Sequence, residues 1–268
     1  SRPHLTDPLR RTMTPAPQHI AVVLVRPREE GNVGSVARAM ANMGLGELIL
    51  VEPAAELGGV ARGFGVGAWS VLDGARRSPS LADALADVEI AVGTSSGRKR
   101  PLKKHSVVDA RGLAEAIAPA RRVALVFGPE DNGLQRDEID QCDLLVRIPC
   151  AARHPTLNLA QAVLLIAYEL HMDRLGRAQP TPAAEPAESL DATLVGERRA
   201  LIEEARPVVA QLGFDHEHLR ESVVRDLREL LRWARPDRRQ LGVLRRLLDR
   251  VSQRLPTGRQ DDSFTNQR

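Results

Sequence analysis

Five short apolar runs, rich in β-branched residues, punctuate the first half of the chain at residues 20–25, 48–51, 89–92, 123–127 and 144–148. Each is nearly continuous in hydrophobicity, which predicts a strand buried on both faces. Amphipathic stretches separate most of them, so the pattern predicts an α/β fold with a mainly parallel sheet. The first helix is the clearest. Val33, Val36, Ala37, Met40 and Met43 recur at the helical period and form its core face, Asn32 can cap it, and Gly44 can end it. Arg38 falls about 140° from Val33 at 100° per residue, so it points away from that face, toward a substrate or toward water.

The pattern changes after residue 175. Residues 176–190 are rich in Pro and Ala with few bulky apolar groups, and read as an extended linker. Three helices are predicted beyond it, near 192–212, 217–234 and 237–253. Asp215 can cap the second, and Pro236 suits the first turn of the third. In the second helix Val224, Leu227, Leu231 and Ala234 make one stripe, while Arg225, Arg228, Arg232 and Arg235 make another. The predicted organisation is a flexible extension over 1–18, a catalytic-size domain over 19–175, the linker, a basic helical part over 191–254 and a flexible tail over 255–268.

Composition narrows the function. A chain of 268 residues with 43% hydrophobic content can build one sizeable domain and a smaller one. The net charge of +3 hides an asymmetry: residues 220–254 hold 11 arginines against 5 acids, leaving 27 basic against 30 acidic residues elsewhere. A basic block of this kind suits a polyanion, or a solvated helix surface. Aromatic residues are only 3%, which argues against binding by ranks of stacked bases. Cys142 and Cys150 fit no metal-ligand spacing and read as two reduced thiols of a cytoplasmic protein; no motif requires a metal. No run of about 18 apolar residues is present, so no membrane span is expected, and no apolar segment follows Arg10 and Arg11 to make a secretory signal.

Four polar runs sit where the pattern places strand ends and helix starts. Gly31-Asn32-Val33-Gly34-Ser35-Val36-Ala37-Arg38 is a glycine-bearing strand-to-helix turn, able to hold a phosphate on backbone N–H groups or simply to turn the chain. Val92-Gly93-Thr94-Ser95-Ser96-Gly97 is a small polar loop at a strand's C-terminus, where α/β proteins bind ligands. The basic stretch after it includes Arg98, Lys99 and Arg100 and every lysine of the chain, and can hold phosphates. In Phe127-Gly128-Pro129-Glu130-Asp131-Asn132-Gly133-Leu134, Gly128 permits close backbone approach, and Glu130 is a plausible general base or a helix-start carboxylate. Finally, Thr156-Leu157-Asn158 opens an apolar helix to about Leu170, with Asn158 a natural cap.

In their order and spacing these runs resemble the motifs of the SPOUT-class RNA ribose 2′-O-methyltransferases of the TrmH-like superfamily, most closely the TrmJ branch. The resemblance covers residues 19–175 and, more loosely, 215–253. It implies a trefoil knot at the C-terminal end of the sheet domain, S-adenosylmethionine as cofactor and a homodimer with the active site shared across the interface. It implies that Asn32 and Arg38 reach the RNA side of the site, Arg38 positioning the ribose 2′-OH, and that Glu130 organises it. Thr94, Ser95, Ser96, Gly128, Ile148, Pro155, Thr156, Leu157 and Asn158 would then form the cofactor pocket, and the basic helices would grip tRNA, with position 32 of the anticodon loop as target. Two departures stand out: Thr156 where serine is usual, and Pro155 where a free N–H is common. His154 beside them could touch substrate. A methyltransferase of ribosomal RNA and an RNA-binding protein without catalysis remain the alternatives; a dinucleotide oxidoreductase lacks its glycine fingerprint.

Overall fold

A computed structural model describes residues 18–54, 56–95, 106–118, 120–151, 153, 156–178, 193–212 and 216–255. The expectations for Ser96, Arg98, Lys99, Arg100, His154, Pro155 and the Asp215 cap, for most of the linker and for both termini lie outside these residues. The chain forms two compact units, residues 1–190 and 191–268.

In the first unit the elements run β1 (His19–Val25), α1 (Glu30–Asn42), β2 (Glu47–Val51), α2 (Gly59–Phe64), α3 (Trp69–Asp73), β3 (Arg76–Ser78), α4 (Leu81–Ala84), β4 (Ile90–Thr94), β5 (Val107–Asp109), α5 (Leu113–Ile117), β6 (Arg122–Phe127), α6 (Arg136–Ile139), β7 (Leu144–Arg147) and α7 (Leu159–Ala178). The seven strands form one sheet in the order β3-β2-β1-β6-β4-β7-β5, and every pairing is parallel. The central strands are buried almost from end to end, as helices on both faces require. Two strands, β3 and β5, were not foreseen. Each has three residues with largely exposed side chains and occupies a sheet edge, so neither carries a hydrophobic signature.

Helix α1 buries Val33, Val36, Ala37 and Met40 against the sheet and α7. Gly34 faces α2: a Cβ there would stand 2.1 Å from the Ala61 carbonyl oxygen, so the two helices cross with their backbones in contact. The helix ends as expected, with Gly44 in the left-handed region at φ 71°. Its start is corrected. Glu29 is the N-cap, without a side-chain bond, and Asn32 lies inside the first turn with its side chain turned elsewhere. Helix α7 packs on α1 and α5 and runs to Ala178, past the predicted linker boundary at 176. Asn158 does open it, its Oδ1 accepting the Ala160 N–H at 2.9 Å.

The second unit is a three-helix assembly of α8 (Val195–Gln211), α9 (Glu217–Ala234) and α10 (Arg238–Ser252) around Leu201, Ile202, Val209, Val224, Leu231 and Leu241. Arg245 binds both oxygens of Glu204, at 2.7 and 2.9 Å, and ties α10 to α8. Pro236 precedes the third helix instead of sitting in its first turn, because Asp237 is the cap, accepting the Gln240 N–H at 2.6 Å.

Candidate active site

The order of strands reverses its direction of growth between β1 and β6, and the C-terminal ends beside such a switch point are where open α/β sheets bind ligands. A cleft of about 180 Å³ opens there, at the ends of β4, β6 and β7. Its polar wall is Thr94, Ser95, Glu130 and Thr156; its apolar wall includes Ile148, Leu157, Leu159 and Ile166. Gly128 makes the cleft possible. The loop after β6 folds back on itself through a turn closed by the Gly133 N–H to the Pro129 carbonyl at 2.8 Å, with Gly133 at φ 65°. A Cβ on Gly128 would lie 2.2 Å from Gly133 C and Leu134 N. Thr94 Oγ1 donates to the Val126 carbonyl at 3.1 Å and Ser95 N–H to the Val146 carbonyl at 3.1 Å, so the three strand ends are pinned together.

At the rim of this cleft the first turn of α1, the loop after β6 and the start of α7 meet through side-chain hydrogen bonds. Asn158 Nδ2 donates to Asn32 Oδ1 at 3.1 Å, and Asn32 Nδ2 donates to Glu130 Oε1 at 2.8 Å. The second Glu130 oxygen accepts the Arg28 backbone N–H at 3.4 Å. Residues 126 and 98 positions apart in sequence are thus joined in one chain of hydrogen bonds. Both Glu130 oxygens receive N–H donors, an arrangement that organises loops more than it abstracts protons.

Arg38 is not part of this chain of bonds. It is exposed on α1, six residues and about 9 Å of helix rise beyond Asn32. Among the described residues it has no hydrogen-bond or ion-pair partner. Thr94, Ser95, Gly128, Ile148, Thr156 and Leu157 line the cleft, while Asn32 and Asn158 stand at its rim. On α9, Arg225 is exposed and Arg228 and Arg232 are half-buried, as is Arg235 at its C-cap.

Sequence reasoning missed the supports of this site. Arg28 pairs with Asp131 at 2.8 Å, bracketing Glu130. Arg26, in the left-handed region at φ 47°, gives a hydrogen bond to the buried Glu138, which together with nearby carboxylates raises the guanidinium pKa above its ordinary value. Gln161 Oε1 accepts the Asn158 N–H at 3.2 Å. Only Gln161 lay near enough in sequence to its partner to be found; the other pairs join segments about 100 residues apart, and nothing local signals them. Cys142 is buried and Cys150 lines the cleft, both as free thiols. No group of three or more metal-ligating side chains occurs among the described residues, and no described helix is long and apolar enough to cross a membrane.

The fold and this cleft define an α/β protein with a ligand-sized cleft at the C-terminal ends of a parallel sheet. Residues 19–168 match the model of the SpoU rRNA Methylase family, and the chain belongs to that family. It is 37% identical over 240 residues to a tRNA (cytidine/uridine-2'-O-)-methyltransferase TrmJ of Pectobacterium atrosepticum, covering 87% of this chain and 96% of that one. Among solved structures it is similar to TrmJ from Z. mobilis, with TM-score 0.73 and 30% identity over 87% of this chain and 98% of that chain. It is also similar to the SpoU methyltransferase AviRb from Streptomyces viridochromogenes in complex with the cofactor AdoMet, with TM-score 0.50 and 25% identity over 59% of each chain.

Proposed function

We propose that this chain methylates a ribose 2′-OH of tRNA with S-adenosylmethionine, at position 32 of the anticodon loop, on cytidine or uridine. The observation that carries the reading is the cleft at the ends of β4, β6 and β7, opening directly onto the Asn158–Asn32–Glu130 chain of hydrogen bonds. The cleft fits the cofactor by its chemistry. Ile148 and Leu157 offer apolar walls for the adenine, Thr94, Ser95 and Thr156 offer hydroxyls to the sugar and amino-acid ends, and Gly128 lets backbone approach closely. When bound, the cofactor supplies an electrophilic sulfonium methyl group.

The chain's own residues bring the acceptor into position. Asn32, Glu130 and Asn158 hold α1, the loop after β6 and the start of α7 in register, so the acceptor oxygen can be presented at fixed range. Arg38, unpaired among the described residues, orients the ribose hydroxyl or an adjacent phosphate. A guanidinium stays protonated, so it positions and stabilises charge and does not act as a free base. The reading includes the trefoil knot at the β7–α7 end of the sheet.

The protein acts as a homodimer. Helix α7 leaves Leu164, Leu165, Tyr168, Met172 and Leu175 37–51% exposed along one side, an apolar strip suited to a second copy. A site completed across that interface accords with an Arg38 that stands about 9 Å of helix rise beyond Asn32. The arginines of the second unit supply the electrostatic grip on tRNA. Equilibrium titration with S-adenosylmethionine tests the cofactor assignment: saturable binding is expected, and a protein that binds none of it would refute the reading.

A further inference from the structure

The arginines of α10 fall into two sets. Arg238 and Arg245 turn to α8, where they pair with Glu197 at 3.3 Å and Glu204 at 2.7 Å. Arg239, Arg246, Arg250 and Arg254 are all exposed, and among the described residues none of their side chains has an ion-pair or hydrogen-bond partner. At 100° per residue Arg239, Arg246 and Arg250 lie within about 40° of one another, on the side opposite the buried Leu241. Arg254 follows in the turn after the helix. The one carboxylate of α10, Asp249, falls about 80° away from the centre of this face. From Arg239 to Arg250 the face spans about 16 Å, enough to meet several successive phosphates.

The basic stripe of α9 is built differently. Arg228, Arg232 and Arg235 are half-buried, and Arg232 Nη1 is closed off from solvent. Arg225 donates to Ser222 Oγ at 2.7 Å and lies 3.8 Å from Asp226. These guanidiniums are partly covered or engaged, whereas those of Arg239, Arg246 and Arg250 on the outward side of α10 are open.

We propose that the outward face of α10, formed by Arg239, Arg246, Arg250 and Arg254, is the principal phosphate-binding surface of the second unit, and that it receives the backbone of the tRNA. The inference rests on the reading of the chain as a tRNA methyltransferase. Val243, Leu247 and Val251 are also exposed beside these arginines and could suggest a protein partner. A second copy of the chain is disfavoured there, because it would set four unpaired arginines against four more.

The test is tRNA binding by the full chain across a salt series. Each phosphate neutralised contributes about 0.7–0.9 to the slope of log affinity against log salt. Arg246→Ala with Arg250→Ala is expected to flatten that slope by about 1.4–1.8 and to weaken binding about tenfold at moderate salt. Arg246→Lys with Arg250→Lys keeps the charge and should keep the slope. A double alanine variant with the parent slope and affinity overturns the proposal. So does one whose molecular mass changes in light scattering while its slope does not, since the face would then join protein to protein. If the parent chain binds tRNA without salt dependence, or not at all, the functional reading itself fails, and this inference with it.

Discussion

In the proposed site Arg38 and Gly128 would act in opposite ways, one through a charged side chain and the other through the lack of any side chain. Arg38 is exposed on α1 and spends no interaction within its own chain among the described residues. If it acts on the substrate, Arg38→Ala should leave the fold intact and lower turnover at least ~10²-fold, about 2.7 kcal/mol of barrier. Steady-state kinetics with circular dichroism as the folding control checks this; near-normal turnover would remove Arg38 from the mechanism. Gly128 is the reverse case. A Cβ 2.2 Å from two backbone atoms cannot be absorbed by a rotamer change. Gly128→Ala must displace the 128–134 loop, and S-adenosylmethionine affinity is expected to fall at least tenfold by calorimetry. Unchanged affinity would place the cofactor elsewhere. The left-handed Gly44 and Gly133 need no such argument from contact, since their backbone angles already favour glycine.

At the scale of elements, α1 shows how much the sequence discloses. Its core face, its exposed arginine and its C-terminal glycine all follow from the 3.6-residue period and turn chemistry. Its first turn did not: Asn32 has the right residue type and place for a cap, yet its side chain is recruited by Glu130 of the loop after β6, 98 residues away. Local capping preference lost to a tertiary bond. The five buried strands were legible because burial on both faces writes a continuous apolar run, whereas β3 and β5, short and at the edges, write none. The α1–α2 contact was equally silent, since Gly34 carries no pattern beyond being glycine. Gly34→Ala should push the helices apart and cost about 1–3 kcal/mol, the range for overpacking a tight contact. A thermal melt checks this, and an unshifted midpoint would mean that α2 yields freely. For α7, Leu165→Arg with Met172→Arg puts two charges into the exposed apolar strip. The protein should then run as a monomer in light scattering and lose methyl transfer; an active monomer would contradict a site shared between copies.

For the molecule as a whole, two units of different character share one chain. The first is built on an apolar parallel sheet, with its cleft at the strand ends. The second is held by a small apolar core and by Arg–Glu pairs such as Arg206–Glu221 at 2.9 Å, and presents its surplus of arginine outward. Thr94, Ser95, Gly128, Ile148, Thr156 and Leu157 were legible in sequence because they stand where a predicted strand ends or a predicted helix opens, whereas Cys150 and Ile166, which also line the cleft, were not. The supports Arg26–Glu138 and Arg28–Asp131 were not, because pairing across loops leaves no local trace. We infer that these parts together methylate a tRNA ribose. The decisive measurement is methyl transfer from labelled S-adenosylmethionine to unmodified tRNA, with the modified nucleotide mapped. Label is expected on the 2′-oxygen of nucleotide 32 in the anticodon loop. Label only in ribosomal RNA, or no transfer by a protein that binds tRNA but no cofactor, would contradict it.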